Sequence, residues 1–481
     1  MVDLTAAMGH RAIQLLPIDE TPPDEASPYS ALTLFAVDPI YIGPHALAGV
    51  APEDLERARR RLRDVPLSDR ATIRSVRLEL LEAAFKHFTA HGTEHAAVEE
   101  FAARNRDWLD DYALFRALKQ RFNFASWEQW PELSLRRREA DSLAQARRAL
   151  EGPILKYIYW QFLAARQWDE VRNYARTRGV MLGGDLAFLP GRDSAEVWAN
   201  QEFFDLERSA GAPPDAFNPT GQRWGLPAPR WERMRAEGFP ILRRRVSHAR
   251  KRFDLLRIDH VVGLYRTFEF GAAPEAGGSF VPAIEAEQCA QGEELMRLVL
   301  GEAGTMAVVA EDLGLIPPFV HASLDALGVP GYRLMRWQKT GEGTPQEGFL
   351  APSAYPELSL ATTATHDTTT LAVWWDELPM KEREQMLSML GIESGQGGVA
   401  AMPFDSVHEP MLAALYSAGS RLVVVPLQDL FGWRDRINLP GTVGPSNWSW
   451  RMPVEVEEVL TSPAFQERLR RLRDLARRTA R

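Results

Sequence analysis

Residues 255–264 read LLRIDHVVGL. A short apolar run delivers charged side chains at its end. Arg257 and Asp259 are two positions apart, so on a strand both point to one face and Ile258 points to the other. Parallel barrels carry their reactive groups at the carboxyl ends of strands, which is where this pair falls if the run is a barrel strand. An Arg beside an Asp favours the ionised carboxylate, and an ionised carboxylate can act as a nucleophile. On these residues alone, a structural ion pair at a strand end is the better account. The rest of the chain shifts that balance.

Downstream, the apolar run 306–310 ends in Glu311-Asp312, 360–364 ends in Thr365-His366-Asp367, and 421–426 leads to Gln428-Asp429. Upstream, 12–18 reads as a buried strand, and 179–185 as a helix-to-strand crossover ending in Asp185. Helical patterns at 157–178, 293–302 and 320–327 lie between, with 331–337 a further strand candidate. Asp193 or Ser194 caps the helix that follows them, and 211–224 (GAPPDAFNPTGQRW) reads as a long Gly/Pro loop. Alternating short strands and helices imply a parallel sheet with crossover helices. Strands that repeatedly end in carboxylates favour a closed barrel over an open sheet. The expected fold class is therefore α/β, a (β/α)8 TIM-type barrel, with residues 1–481 as one catalytic barrel. Between 52 and 150 Glu, Arg, Ala and Leu dominate with helical spacing, and this stretch reads as a helical insertion subdomain within it.

Across its 481 residues the chain is 45% apolar and 25% charged, with 56 basic and 65 acidic residues and a formal charge of −9. That balance argues against a nucleic-acid partner and suits a neutral substrate such as a sugar. The single cysteine, Cys289, leaves no disulfide within the chain and no Cys-based zinc site. With no secretory pattern in the first residues and no run long enough for a membrane span, a cytoplasmic setting and no membrane partner are expected.

Three expected strand ends now carry Asp259, Glu311 and Asp367. Glycosyl transfer with retention requires a carboxylate nucleophile and a carboxylic acid roughly 5 Å apart. The acid must stay protonated near neutral pH, and a neighbouring carboxylate raises its pKa. Glu311, with the longer side chain, suits the acid; Asp259, beside Arg257, suits the nucleophile. A third carboxylate can hold sugar hydroxyls and favour ring distortion. Carboxylates at strand ends also bind divalent metals, and His366-Asp367 could be half of such a site. Without ligand-spaced histidines, no metal is expected.

These motifs resemble the amylomaltases, the 4-alpha-glucanotransferases also called disproportionating enzymes. The resemblance covers nearly all of the chain. It includes Ser27-Pro28-Tyr29, 108–115, Gly184-Asp185, 193–198, Thr220-Gly221-Gln222, 257–260, 310–314, Thr365-His366-Asp367, 426–429, 436–441 and Asn447-Trp448. It implies a retaining double displacement on alpha-1,4-glucan, with malto-oligosaccharides as donors, glucose as an acceptor and no cofactor. Asp259 matches the family's nucleophile, Glu311 its acid/base and Asp367 its transition-state stabiliser. Tyr29, Asp185, Arg257 and His366, with Ser27 in the same matched segment as Tyr29, match residues around the sugar.

The chain departs from the family at three places. Val261-Val262 stand for an aromatic and an Arg, 226–229 (LPAP) for Asn-Pro-x-Tyr, and Thr368-Thr369 for Asn-Asp. Each change removes groups that could hold glucose hydroxyls. Two other readings stay open: a hydrolase using the same carboxylates, and a degenerate barrel that binds glucan without catalysis.

In the family, a strand and a helix precede the segment that matches 12–18. Here only about ten residues are available, where such a unit needs roughly 30. The expectation is therefore a barrel lacking its first strand, with seven strands and a gap between 12–18 and 421–426. A gene start called too late, or a partner chain that closes the gap, would account for it, and the open edges would favour self-association.

Overall fold

A computed structural model describes residues 1–214, 220–273, 277–341, 343–344, 347–393, 398 and 402–479. Its strands, in chain order, are β1 (Ala12–Gln14), β2 (Met181–Leu186), β3 (Phe204–Ala212), β4 (Gln222–Pro229), β5 (Leu255–Ile258), β6 (Thr267–Phe270), β7 (Gly278–Val281), β8 (Ala307–Ala310), β9 (Gly331–Leu334), β10 (Lys339–Thr340), β11 (Gly348–Phe349), β12 (Ser359–Thr362) and β13 (Leu422–Val423). Seven of them form one parallel sheet in the order β1-β2-β5-β8-β9-β12-β13. Neighbours in the sheet follow one another in sequence, with crossovers between, as expected for a barrel wall. Among the described residues, β1 and β13 are edges that do not pair with each other. The seven strands and the position of the gap are those expected from the sequence.

The register sets what faces inward. Asp185 lies opposite Arg257 across β2 and β5, and Arg257 lies opposite Val309 across β5 and β8. Side chains in register on neighbouring strands share a face. Stepping by two then adds Asp259 and Glu311 to that face. Below them, Leu255, Val309, Tyr332, Leu334 and Leu360 form the apolar interior of the sheet. The alternate residues Leu256, Ile258, Val308 and Ala310 turn outward and join the core packed against helices Pro240–Arg252, Glu285–Ala303 and Pro318–Leu327. The apolar runs of the sequence are thus strands buried on both faces.

Helices Pro52–Leu62, Arg70–His91, His95–Arg104, Arg106–Arg121 and Ala140–Ala149 follow β1. Asp69 caps Arg70–His91 by accepting from Thr72 N–H, and Gly92 ends it at φ 67°. With Glu151–Thr177, helices Arg70–His91, His95–Arg104 and Arg106–Arg121 enclose a separate apolar cluster that includes Trp108, Tyr112 and Trp160.

One reading from the sequence needs correction. The stretch 211–224 is not a loop throughout: Gly211 pairs with Arg223 and Ala212 with Gln222, so its ends are the tips of the β3–β4 hairpin. Residues 215–219 of that stretch lie outside the described residues. This hairpin belongs to a four-stranded antiparallel sheet, β4-β3-β6-β7, that the sequence patterns do not reveal. Its strands carry Gly and Pro at several positions, which conceals their alternation.

The termini meet beside the gap. Leu4 and Met8, on and just after helix Val2–Ala7, pack in one cluster with Leu469, Leu472 and Ala476 of helix Pro463–Arg478. His10 Nε2 hydrogen-bonds Tyr416 Oη. A cleft of about 620 Å³ lies along the β1 edge, lined among others by Leu16, Ile18, Trp168, Trp448 and Trp450. No helix among the described residues is long and apolar enough to cross a membrane.

Candidate active site

The interior face ends in a cluster built around one guanidinium. Arg257 Nη1 donates to Asp185 Oδ1 at 2.8 Å and Oδ2 at 2.7 Å, and to Asp259 Oδ1 at 2.8 Å. Its Nη2 lies 3.9 Å from Glu311 Oε2. Burial works against the charge of Arg257, but the fields of Asp185, Asp259 and Tyr29 outweigh it and hold the guanidinium charged. For Asp185, burial dominates and raises its pKa, while Arg257 opposes the rise.

Glu311 hangs from the end of β8 and is oriented by the neighbouring turn. Its Oε2 accepts from His260 N–H at 2.8 Å and its Oε1 from Leu313 N–H at 3.1 Å. Burial pushes its pKa up to about 7; Arg257 and the two N–H donors lower it, and Asp259 adds to the rise. That is the environment of a carboxyl group that can give and take a proton near neutrality. His260, which bends the chain past Asp259, sits at φ 48°, a conformation non-glycine residues rarely adopt. The rings of Phe188 and Trp224 meet its imidazole edge-on. Burial lowers its pKa to about 4, so it is neutral at pH 7.

On the opposite side stand Tyr29 and His366. Tyr29 Oη donates to Asp185 Oδ2 at 2.8 Å and lies 3.5 Å from His366 Nε2. The two rings stack with centroids 5.5 Å apart. Burial, then Asp185, raise the Tyr29 pKa well above its ordinary value. Ser27 turns the loop that carries Tyr29, its hydroxyl accepting from Tyr29 N–H at 3.3 Å. Asp367 follows His366 on the turn after β12, with 44% of its side chain exposed and Oδ2 3.5 Å from His366 Nε2.

Thus Tyr29, Asp185, Arg257, Asp259 and Glu311 form one hydrogen-bonded or charge-paired group, reached by His366 through Tyr29, with Asp367 beside His366. Three groups of this site carry no role in the sequence reading: Tyr332, Asn438 and Trp448. Arg257 lies 6.0 Å from the centre of the Tyr332 ring. Asn438 bonds Asp367, and the Trp448 ring lies against Tyr29 and His366. Tyr332 could have been found from the parity of β9; the other two sit on an irregular segment with no periodic signal.

The departures from the family pattern have structural occupations here. Val262 is buried in the core, and Pro229 pairs with Phe204 on β3. Thr368 Oγ1 closes a turn on Thr365. Thr369 Oγ1 accepts from Arg336 at 3.1 Å. Among the described residues, no group of three His, Cys, Asp or Glu is arranged to hold a metal ion.

The family model described as 4-alpha-glucanotransferase matches residues 1–457 of this chain. The 4-alpha-glucanotransferase of Thermus thermophilus is 34% identical over 489 residues, covering 98% of this chain and 92% of that protein. The 4-alpha-glucanotransferase of Aquifex aeolicus is 32% identical over 464 residues, with coverages of 94% and 90%. Among solved structures, the amylomaltase from Streptococcus agalactiae in complex with acarbose is similar with a TM-score of 0.84 and 26% identity, over 100% of this chain and 94% of that one.

Proposed function

The chain belongs to the 4-alpha-glucanotransferase family of amylomaltases and is an enzyme of that class, and from this premise we propose that it transfers alpha-1,4-glucan segments by a retaining double displacement at the Arg257 cluster. Donors are malto-oligosaccharides, and glucose or another glucan end is the acceptor. In the first step the Asp259 carboxylate attacks the anomeric carbon. The bond from that carbon to the glycosidic oxygen breaks, and Glu311 gives its proton to the departing oxygen. A glucosyl–Asp259 ester results, with Glu311 ionised. In the second step an acceptor hydroxyl attacks the same carbon, Glu311 takes the hydroxyl proton, and Asp259 leaves as a carboxylate. Asp367 and His366 hold hydroxyls of the reacting ring, and Asp185, Tyr29 and Ser27 complete its surroundings.

One observation carries this reading: the Arg257 guanidinium bonds Asp259 and lies beside Glu311, whose pKa is pushed up to about 7. An acid that must donate in one step and accept in the next works best with a pKa near the working pH. The test uses Glu311→Gln with alpha-glucosyl fluoride. Fluoride leaves without a proton, so the ester forms, and without a base it persists. Mass spectrometry of the digested protein is expected to find one glucosyl group on the peptide containing Asp259. An adduct on another carboxylate, or turnover with no adduct, overturns the assignment. Incubation of the unmodified protein with maltotriose separates transfer, which yields longer chains, from hydrolysis, which yields only shorter ones.

A further inference from the structure

We propose that Asn438 is a positioning residue for Asp367, fixing the direction in which that carboxylate meets the substrate. The proposal rests on the reading of Asp367 as a group that touches the reacting sugar, and it adds a residue to which that reading gives no role.

Asp367 is the most exposed of the three candidate carboxylates, with 44% of its side chain accessible against 22% for Asp259 and 13% for Glu311. It sits on a turn beyond its strand, and an exposed Asp side chain has several rotamers open to it. Asn438 selects one. Its Nδ2 donates to Asp367 Oδ1 at 2.7 Å, while its backbone N–H donates to His366 O at 3.1 Å. One residue thus holds both the backbone before Asp367 and the carboxylate itself. Arg436 reinforces the pair: Nη2 donates to Asp367 O at 2.9 Å and Nε to Asn438 O at 2.7 Å. Asn438 is itself buried.

The choice of amide has a chemical reason. A neutral donor orients a carboxylate without cancelling its charge, whereas Lys or Arg at this point would pair with it and lower its value to a developing cation on the sugar. The arm that carries Asn438 is correspondingly stiff. Asn447 Oδ1 accepts from Leu439 N–H at 3.1 Å, and its Nδ2 donates to Thr442 O at 2.9 Å. Trp448 N–H donates to Ile437 O at 2.8 Å, and Trp448 sits at φ 57°, a conformation such a residue keeps only where its surroundings enforce it. Its ring closes over His366 at 5.4 Å. Arg70, at the start of helix Arg70–His91, donates to Asn447 O at 2.9 Å and ties the arm to the helical region.

The test compares Asn438→Ala, Asn438→Asp and Asp367→Asn with the unmodified protein, using maltotriose disproportionation and thermal unfolding. Asn438→Ala is expected to lower kcat roughly 10- to 100-fold, the scale of one lost hydrogen bond to a charged group, with KM changed less than about threefold and unfolding little altered. Asn438→Asp keeps the shape but sets carboxylate against carboxylate. Besides Asp367 itself, the charged or titratable groups facing this point are His366 and Arg436, with Tyr29 behind His366. Its activity relative to the unmodified protein is expected to rise as pH falls, because two carboxyls sharing one proton restore the hydrogen bond. A structural role alone would not produce that change in ratio, and this variant stands in if Asn438→Ala fails to fold. Full kcat in Asn438→Ala, or a flat ratio for Asn438→Asp, while Asp367→Asn is inactive, overturns the role of Asn438 alone. An active Asp367→Asn overturns the reading of Asp367, and this proposal with it.

Discussion

Asp185 and Arg257 lie directly opposite each other on β2 and β5, and one nitrogen of Arg257 donates to both oxygens of Asp185. The same nitrogen donates to Asp259. The candidate nucleophile is therefore held by a cation that is itself anchored to the next strand.

This arrangement makes Arg257→Lys a severe change. An ammonium is a compact point charge on a shorter stem, so it cannot bond Asp185 and Asp259 and also keep a second nitrogen beside Glu311, as the guanidinium does. Charge-assisted bonds to two carboxylates, Asp185 and Asp259, are at stake, such a bond being worth about 1.5–3 kcal/mol. The variant is expected to fold and to lose about 10²-fold or more in kcat/KM on maltotriose. Activity within threefold of the unmodified protein would show that the anchoring does not matter.

For Asp259→Asn, turnover is expected to fall by on the order of 10⁴-fold or more, because an amide cannot form the ester. The amide still accepts a hydrogen bond from Arg257, so circular dichroism should be unchanged. Near-normal transfer by a folded Asp259→Asn protein removes Asp259 from the role.

The pH dependence follows from Glu311. In the proposed mechanism its proton is needed in the first step, and its pKa is raised to about 7. As pH rises through that value the protonated fraction falls, so kcat/KM should decline on the alkaline side with an apparent pKa near 7. A profile flat from pH 6 to 9 contradicts this.

The same shift has a cost in stability. An acid with a raised folded pKa binds its proton more tightly when folded. That contribution is complete below the ordinary carboxyl value near 4.5 and is lost as pH rises to about 7. Glu311→Gln removes the buried anion. It is therefore expected to stabilise the fold at pH 8, by on the order of 2–3 kcal/mol at most, and to have little effect at pH 4.5. Denaturant titrations at the two pH values check this; equal effects at both would place the shift elsewhere.

Gly331 tests the support of the Glu311 turn. A Cβ there would lie 2.1 Å from Asp312 Oδ2. That carboxylate is buried, accepts from Tyr332 N–H at 2.5 Å and faces Arg333 and His321, so it has no room to yield. Gly331→Ala is expected to destabilise by about 1–3 kcal/mol through overpacking, read as a lower Tm. An unchanged Tm would mean that β8 and β9 separate easily at this point.

The sequence by itself determined the parallel sheet and the parity of the cluster. Runs such as 255–258 and 307–310 are apolar because both faces of a barrel strand are buried, and period two then places Arg257 with Asp259 and Val309 with Glu311. The count of seven strands and the site of the gap came from the resemblance to a family of barrels rather than from local pattern, since strands such as β9 (GYRL) leave no plain apolar run. The antiparallel sheet β4-β3-β6-β7 was not legible, since its pairings depend on partners far along the chain and its Gly and Pro positions break the alternation. Only the tertiary structure decided the bond from Asn438 to Asp367, across 71 positions of sequence, and the placing of Trp448 over His366. Hydrogen bonds of that kind join an irregular arm to a strand end. No local propensity encodes such a contact; it exists only once both segments are packed on the same barrel.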